Sequence, residues 1–149
     1  MSVPVWKRKL SGAEYIYQVY KLNIRLGEIL ANKPKKYRNN YSDEIIKTAL
    51  SALKHLQIVD DIFLTKWSSK QDYEIRHEHL HIARGEINNI ATACYIFLEI
   101  VRAHDSEKYD KIYDEELEIG EMCEDCFELI TGVIKSDKET YKKYINPKG

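Results

Sequence analysis

Apolar residues recur at helical spacing, about 100° per position, along four stretches of this chain. The first covers residues 13–31. Ser11 or Gly12 opens it, and Asn32-Lys33-Pro34 closes it, because proline disfavours a helical residue before it. The second is expected to begin at Ser42 as N-cap, with Asp43 and Glu44 placed to suit the helix dipole, and to run to about residue 66. Trp67-Ser68-Ser69 then makes a turn. The third covers residues 71–103 with a strain point expected at Gly85, and the fourth follows His104-Asp105-Ser106 over residues 107–135. Short connections imply antiparallel neighbours, so the pattern predicts an all-α, antiparallel up-down-up-down four-helix bundle. The bundle takes up residues 13–135 of a single domain covering 1–149, between a basic N-terminal arm, 1–12, and a basic C-terminal tail, 136–149.

The faces of these helices differ. In the fourth, Ile112, Ile119, Cys123, Phe127, Ile130 and Ile134 share one side, and Asp110, Asp114, Glu118, Glu121, Asp125 and Glu128 share the other. The first spreads its tyrosines, isoleucines and leucines over about 240° and leaves Glu14, Gln18, Lys21, Arg25 and Glu28 a narrow polar strip. The third carries a second apolar stripe, Ile75, Ile82, Ala93, Ile96 and Ile100, away from its main face of Leu80, Ile87, Ile90, Cys94 and Val101. A bundle helix needs an apolar stripe of only about 100° or a little more. Self-association explains the surplus best, and tyrosine rings packed internally are the alternative.

Composition narrows the class. At 149 residues, 44% hydrophobic and 32% charged, the chain has the balance of one folded unit. No stretch approaches the roughly 18 to 20 apolar residues that span a bilayer, and the N-terminus lacks the apolar run of a signal peptide. No membrane partner is expected. Three cysteines make no disulfide framework, which points to a reducing, cytoplasmic setting. The net charge of −1 is unevenly spread: residues 1–54 hold 11 Lys and Arg against 4 Asp and Glu, and the remainder 12 against 20. Such asymmetry gives either a bipolar surface or ordinary scatter on helices.

Little in the chain carries chemistry. Cys123-Glu-Asp-Cys126 has redox-like spacing, but both thiols fall on the apolar face among Glu121, Glu124, Asp125 and Glu128, which oppose a thiolate. No second pair completes a structural zinc site. The overlapping Glu-x-x-His patterns of Glu74-Ile-Arg-His77-Glu78-His-Leu-His81 lie on one helix, whereas di-iron bundles draw them from two. Asp60, inside the apolar arc of helix two, is expected to bond or pair with His77, Arg76 or Arg84 across the turn. Phosphate-cradling and nucleophile-elbow motifs are absent, so neither catalytic residues, metal nor cofactor is assigned, and no enzyme is expected. The remaining signal is Lys33, Lys35, Lys36, Tyr37 and Arg38, expected on an exposed loop. Several cations beside an aromatic ring are what phosphate contact and base stacking require. Lys7-Arg8-Lys9 with Lys138, Lys142 and Lys143 forms a second basic cluster, expected at the opposite end.

Tyr20-Lys-Leu-Asn-Ile-Arg-Leu-Gly-Glu-Ile-Leu30, then Lys-Pro-Lys-Lys-Tyr-Arg38, then a long helix from Ser42, resembles the accessory variability determinant proteins of diversity-generating retroelements. These belong with the 23S rRNA intervening-sequence proteins in a four-helix-bundle superfamily. The likeness covers residues 13–135. It implies a homopentameric barrel that binds RNA or an RNA–DNA hybrid and a partner reverse transcriptase, assisting template-RNA copying through Lys33, Lys35, Lys36 and Arg38. Two readings follow. One is a nucleic-acid-binding accessory protein of that kind; the other is a homo-oligomeric protein–protein assembly module without nucleic-acid binding.

Overall fold

A computed structural model describes residues 13–148, and within them the regular structure is helical throughout. Four long helices dominate: α1 (Glu14–Leu30), α2 (Asp43–Asp61), α3 (Lys70–His104) and α4 (Tyr109–Thr140). None is long and apolar enough to cross a membrane. Each packs against two others, α2 on α1 and α3, α4 on α3 and α1, so the apolar stripes close on one core. Leu22, Leu26, Leu30, Leu56, Leu80, Ile87, Ile90, Ile119 and Ile130 fill that core. A smaller cluster of Tyr37, Phe97, Leu98, Val101 and Ile112 seals the end where α3 gives way to α4.

Polar contacts record the register. Ser51 donates to Glu86 at 2.7 Å, His55 meets His79 at 2.7 Å, and Arg76 reaches the Val59 carbonyl at 2.8 Å, so numbers fall along α2 as they rise along α3. Arg84 approaches Thr131 and Arg76 approaches Asp137 in the same sense between α3 and α4. On the first pair of helices, Asn23 spans to the Ala49 carbonyl at 3.0 Å.

Three helix limits differ from expectation. Ser42 does not cap α2: it is already helical, at φ −61 and ψ −47, and follows a turn at Lys35–Tyr37 and a π-turn at Arg38–Ser42. Its hydroxyl is buried without a hydrogen bond among the described residues. The second helix stops at Asp61, short of residue 66, where the Ile62 amide turns back to the Val59 carbonyl and the Arg76 guanidinium donates to the Val59 and Ile62 carbonyls at that end. The fourth runs through residue 135 to Thr140, and a π-turn at Tyr141–Ile145 extends it. What the sequence presents as a basic tail is therefore mostly helix, held by buried Ile134 and Asp137. The basic arm at 1–12, including Lys7, Arg8 and Lys9, lies outside the described residues.

The expected strain at Gly85 does not arise, since α3 passes through it unbroken. A Cβ added at Gly85 or at Gly132 would meet nothing within 4 Å. Each Gly→Ala change is expected to raise stability by about 0.5–1 kcal/mol, through helix propensity and a less free unfolded chain. Urea midpoints at constant slope check this, and an unchanged or lowered midpoint would contradict it.

Candidate functional site

The residues assigned to nucleic acid sit in a helical connection, not a free loop, and most are committed within the chain. Lys33 is 7% exposed and its ammonium lies 2.9 Å from the Glu115 carboxylate on α4. Lys36 pairs with Asp105 at 2.6 Å, and the buried Tyr37 hydroxyl donates to the same carboxylate. Those two donors hold the Asp105 carboxyl below its usual range. Arg38 donates to the Ala31 carbonyl at 2.9 Å, and Lys35 faces solvent. Tyr37 turns its ring edge-on to Phe97, centroids 5.1 Å apart, so it packs inward and offers no stacking face outside. The stretch works as a clasp joining the α1–α2 connection to the α3–α4 connection.

The opposite end carries a different set. Phe63 and Trp67, in the connection from α2 to α3, are 81% and 84% exposed. A Thr65–Ser68 turn shapes this segment: the Ser68 hydroxyl accepts from the Thr65 amide at 2.8 Å, and the Ser68 amide donates to the Thr65 carbonyl at 3.1 Å. Lys66 places its ammonium 5.1 Å from the centre of the Trp67 ring. Ser69 and Asp72 then form a reciprocal capping box that starts α3. Beside this, the extended end of α4 brings Tyr141 flat against Tyr73, centroids 4.1 Å apart at 15°. Tyr73, Lys138, Tyr141, Lys142 and Asn146 line a cleft of about 310 Å³ there. Asn146 donates to the Tyr141 hydroxyl at 3.0 Å, which fixes that ring, and Lys143 lies over the exposed Tyr144. The sequence named Lys138, Lys142 and Lys143 as a second basic cluster but gave no sign of Tyr73 and Tyr141 between them. Trp67 falls in the turn expected at Trp67-Ser68-Ser69, whereas Phe63, expected inside the second helix, lies beyond its end at Asp61.

The histidines read as packing groups. His77 stacks on Tyr73 and meets His81 edge-on at 4.3 Å. Burial pushes both below the ordinary histidine value, aided for His77 by Lys138 and for His81 by His77. Both are therefore neutral at pH 7. Among the described residues, no group of three or more His, Cys, Asp or Glu is placed to hold a metal ion. Asp60 does not take the partner expected of it: Arg76 pairs with Asp137, at 2.9 and 3.1 Å.

Cys94, Cys123 and Cys126 are all buried and free. Burial pushes the Cys123 and Cys126 thiols up to about 12 and raises Cys94 further, the reverse of an activated thiolate. Next to Cys94 lies Glu116, 5% exposed. Among the described residues neither of its carboxylate oxygens finds a full hydrogen-bond donor, and the neighbouring thiol is only a weak one. Burial drives its pKa up to about 7. No protein-family model, curated protein or solved structure matches the chain.

Proposed function

We propose that this chain is a non-catalytic nucleic-acid-binding accessory protein of the cytoplasm, an antiparallel up-down-up-down bundle whose interface is the end bearing Trp67, Tyr141 and the α4 lysines. The observation that carries the reading is the pairing of exposed rings with cations there. Trp67 lies under Lys66, Tyr144 under Lys143, and Lys138 and Lys142 flank the Tyr73–Tyr141 stack. Single strands are held by bases stacked on aromatic rings and by phosphates on lysines. The 33–38 clasp is a weaker candidate, since its ion pairs would have to break before Lys33 or Lys36 could reach a phosphate.

The resemblance to the retroelement accessory proteins supports RNA or an RNA–DNA hybrid as the ligand and a reverse transcriptase as a partner. Exposed Ile24, Ile82 and Ile96 on α1 and α3 support a homo-oligomer, with five subunits implied by the resemblance. An assembly role alone would leave the aromatic–lysine end without a purpose.

Anisotropy of a labelled 20-nucleotide oligouridylate tests the proposal. Changing Lys138, Lys142 and Lys143 to Gln is expected to weaken binding about tenfold or more and to flatten its salt dependence. Trp67→Ala is expected to cost about 1–3 kcal/mol of binding, the worth of one stacked base. Binding that is absent, insensitive to salt, or lost instead through Lys35→Gln with Arg38→Gln would overturn this assignment.

A further inference from the structure

We propose that the groove between α3 and α4 is a docking site for a basic amphipathic helix of a partner protein, with Glu116 receiving a lysine or arginine from that helix. This is independent of the nucleic-acid end. Two contiguous depressions of about 240 and 330 Å³ share Ala91, Gly120 and Glu124 and form one open trough. On α3 it runs from Ile87 to Leu98, about 16 Å at 1.5 Å per residue, or three turns of a docked helix. Its centre is cut low by Ala91 and Gly120, and its walls carry exposed Tyr95 and Leu117. A Cβ at Gly120 would meet nothing within 4 Å, so the trough there is open space. This small-residue notch between apolar walls is the shape that accepts the ridge of another helix.

Charge selects the occupant. The side chains lining the trough include Glu116, Glu121 and Glu124 but neither lysine nor arginine. The cation that bears on Glu116 is Lys33, already paired with Glu115 at 2.9 Å, and Arg84 lies over the ring of Phe127, 5.4 Å away, at the end of the trough. Glu116 is nine-tenths buried, faces the trough and finds no full donor among the described residues. A buried carboxylate without a partner is costly, and an incoming ammonium on an aliphatic stem supplies both the charge and the apolar contact. A second copy seated groove to groove is disfavoured, because a two-fold contact would set Glu116, Glu121 and Glu124 against their own equivalents.

The probe is a fluorescein-labelled 14-residue helical peptide of leucine and lysine, titrated into the full chain. Its leucine–glutamate counterpart serves as control. Salt-dependent binding of the lysine peptide and none of the glutamate peptide is expected. Gly120→Leu, whose Cβ meets nothing within 4 Å and whose branched end fills the notch, is expected to weaken binding at least tenfold, and Glu116→Gln about tenfold. Asp110→Asn with Asp114→Asn, on the acidic face outside the trough, is expected to change affinity less than twofold. Equal binding of both peptides, or affinity unmoved by Gly120→Leu, would overturn the proposal. A tenfold gain on changing Lys7, Arg8 and Lys9 to Gln would overturn it in favour of the chain's own N-terminal residues as occupant. Conversion of an oligomer to monomer by Gly120→Leu would overturn it in favour of a second copy.

Discussion

Arg76→Met is expected to destabilise the fold by about 3–5 kcal/mol, the cost of breaking a buried ion pair from one side. Arg76 ties several elements at once. Its Nε and Nη2 donate to Asp137 on α4 at 2.9 and 3.1 Å, and its Nη1 donates to the Val59 and Ile62 carbonyls at 2.8 Å each. Tyr15 on α1 lies against the same guanidinium, and burial there raises the Tyr15 hydroxyl to about 12. Removing the cation leaves Asp137, 6% exposed, charged and unpaired, and takes a donor from two carbonyls at the end of α2. Asp137→Leu is expected to be as damaging, since it strands Arg76. Combining Arg76→Met with Asp137→Leu is expected to recover much of the loss, because neither charge then remains buried. Asp60→Asn, at a half-buried site, is expected to cost under 1 kcal/mol. Guanidinium denaturation at pH 7 checks the series. Equal losses at Asp60 and Asp137 would refute the pairing.

The second large effect concerns pH and Glu116. Burial raises this carboxyl from 4.5 to about 7, so the folded state holds its proton more tightly than the unfolded chain. Its contribution to stability is complete below pH 4.5, declines as pH rises from 4.5 to 7, and is lost above 7. A rise of that size corresponds to about 3 kcal/mol. His77 and His81, held below their ordinary value, act in the opposite sense and favour the fold as pH rises. The difference between parent and Glu116→Gln therefore isolates the carboxyl. The two should be close at pH 4.5, and the variant should be more stable by about 3 kcal/mol at pH 8. A constant difference across that range would show that Glu116 is solvated.

The long helices were legible because their apolar spacing is regular and their ends carry Pro34 and acidic residues. The buried state of Cys123 and Cys126 was legible for the same reason, and the structure places both in the core. Phe127 was not. It shares a projected face with them, yet it is 38% exposed, because at the margin of the stripe the neighbouring helix is cut away to Ala91. Lys33 shows a related failure. Local charge marks it as a solvent group, and only the approach of α4, 82 positions along the chain, turns it into a buried ion pair. Partner choice across the core is a matter of tertiary register, and periodicity carries no register. The same gap hid the Arg76–Asp137 pair and left Asp60 as the visible carboxylate.

The order of packing around the core also bears on how the chain folds. Along the sequence, α2 meets α3 and α3 meets α4, each across a connection of a few residues. The exception is the junction of α1 with α4, fastened by Arg25 to Glu118 and by Lys33 to Glu115, positions 93 and 82 residues apart. Loop-closure entropy rises with the length of chain enclosed, and non-local contacts are the slow ones to form. The α1–α4 seam is thus the costliest contact to form early, and the ring of helices is expected to close there last.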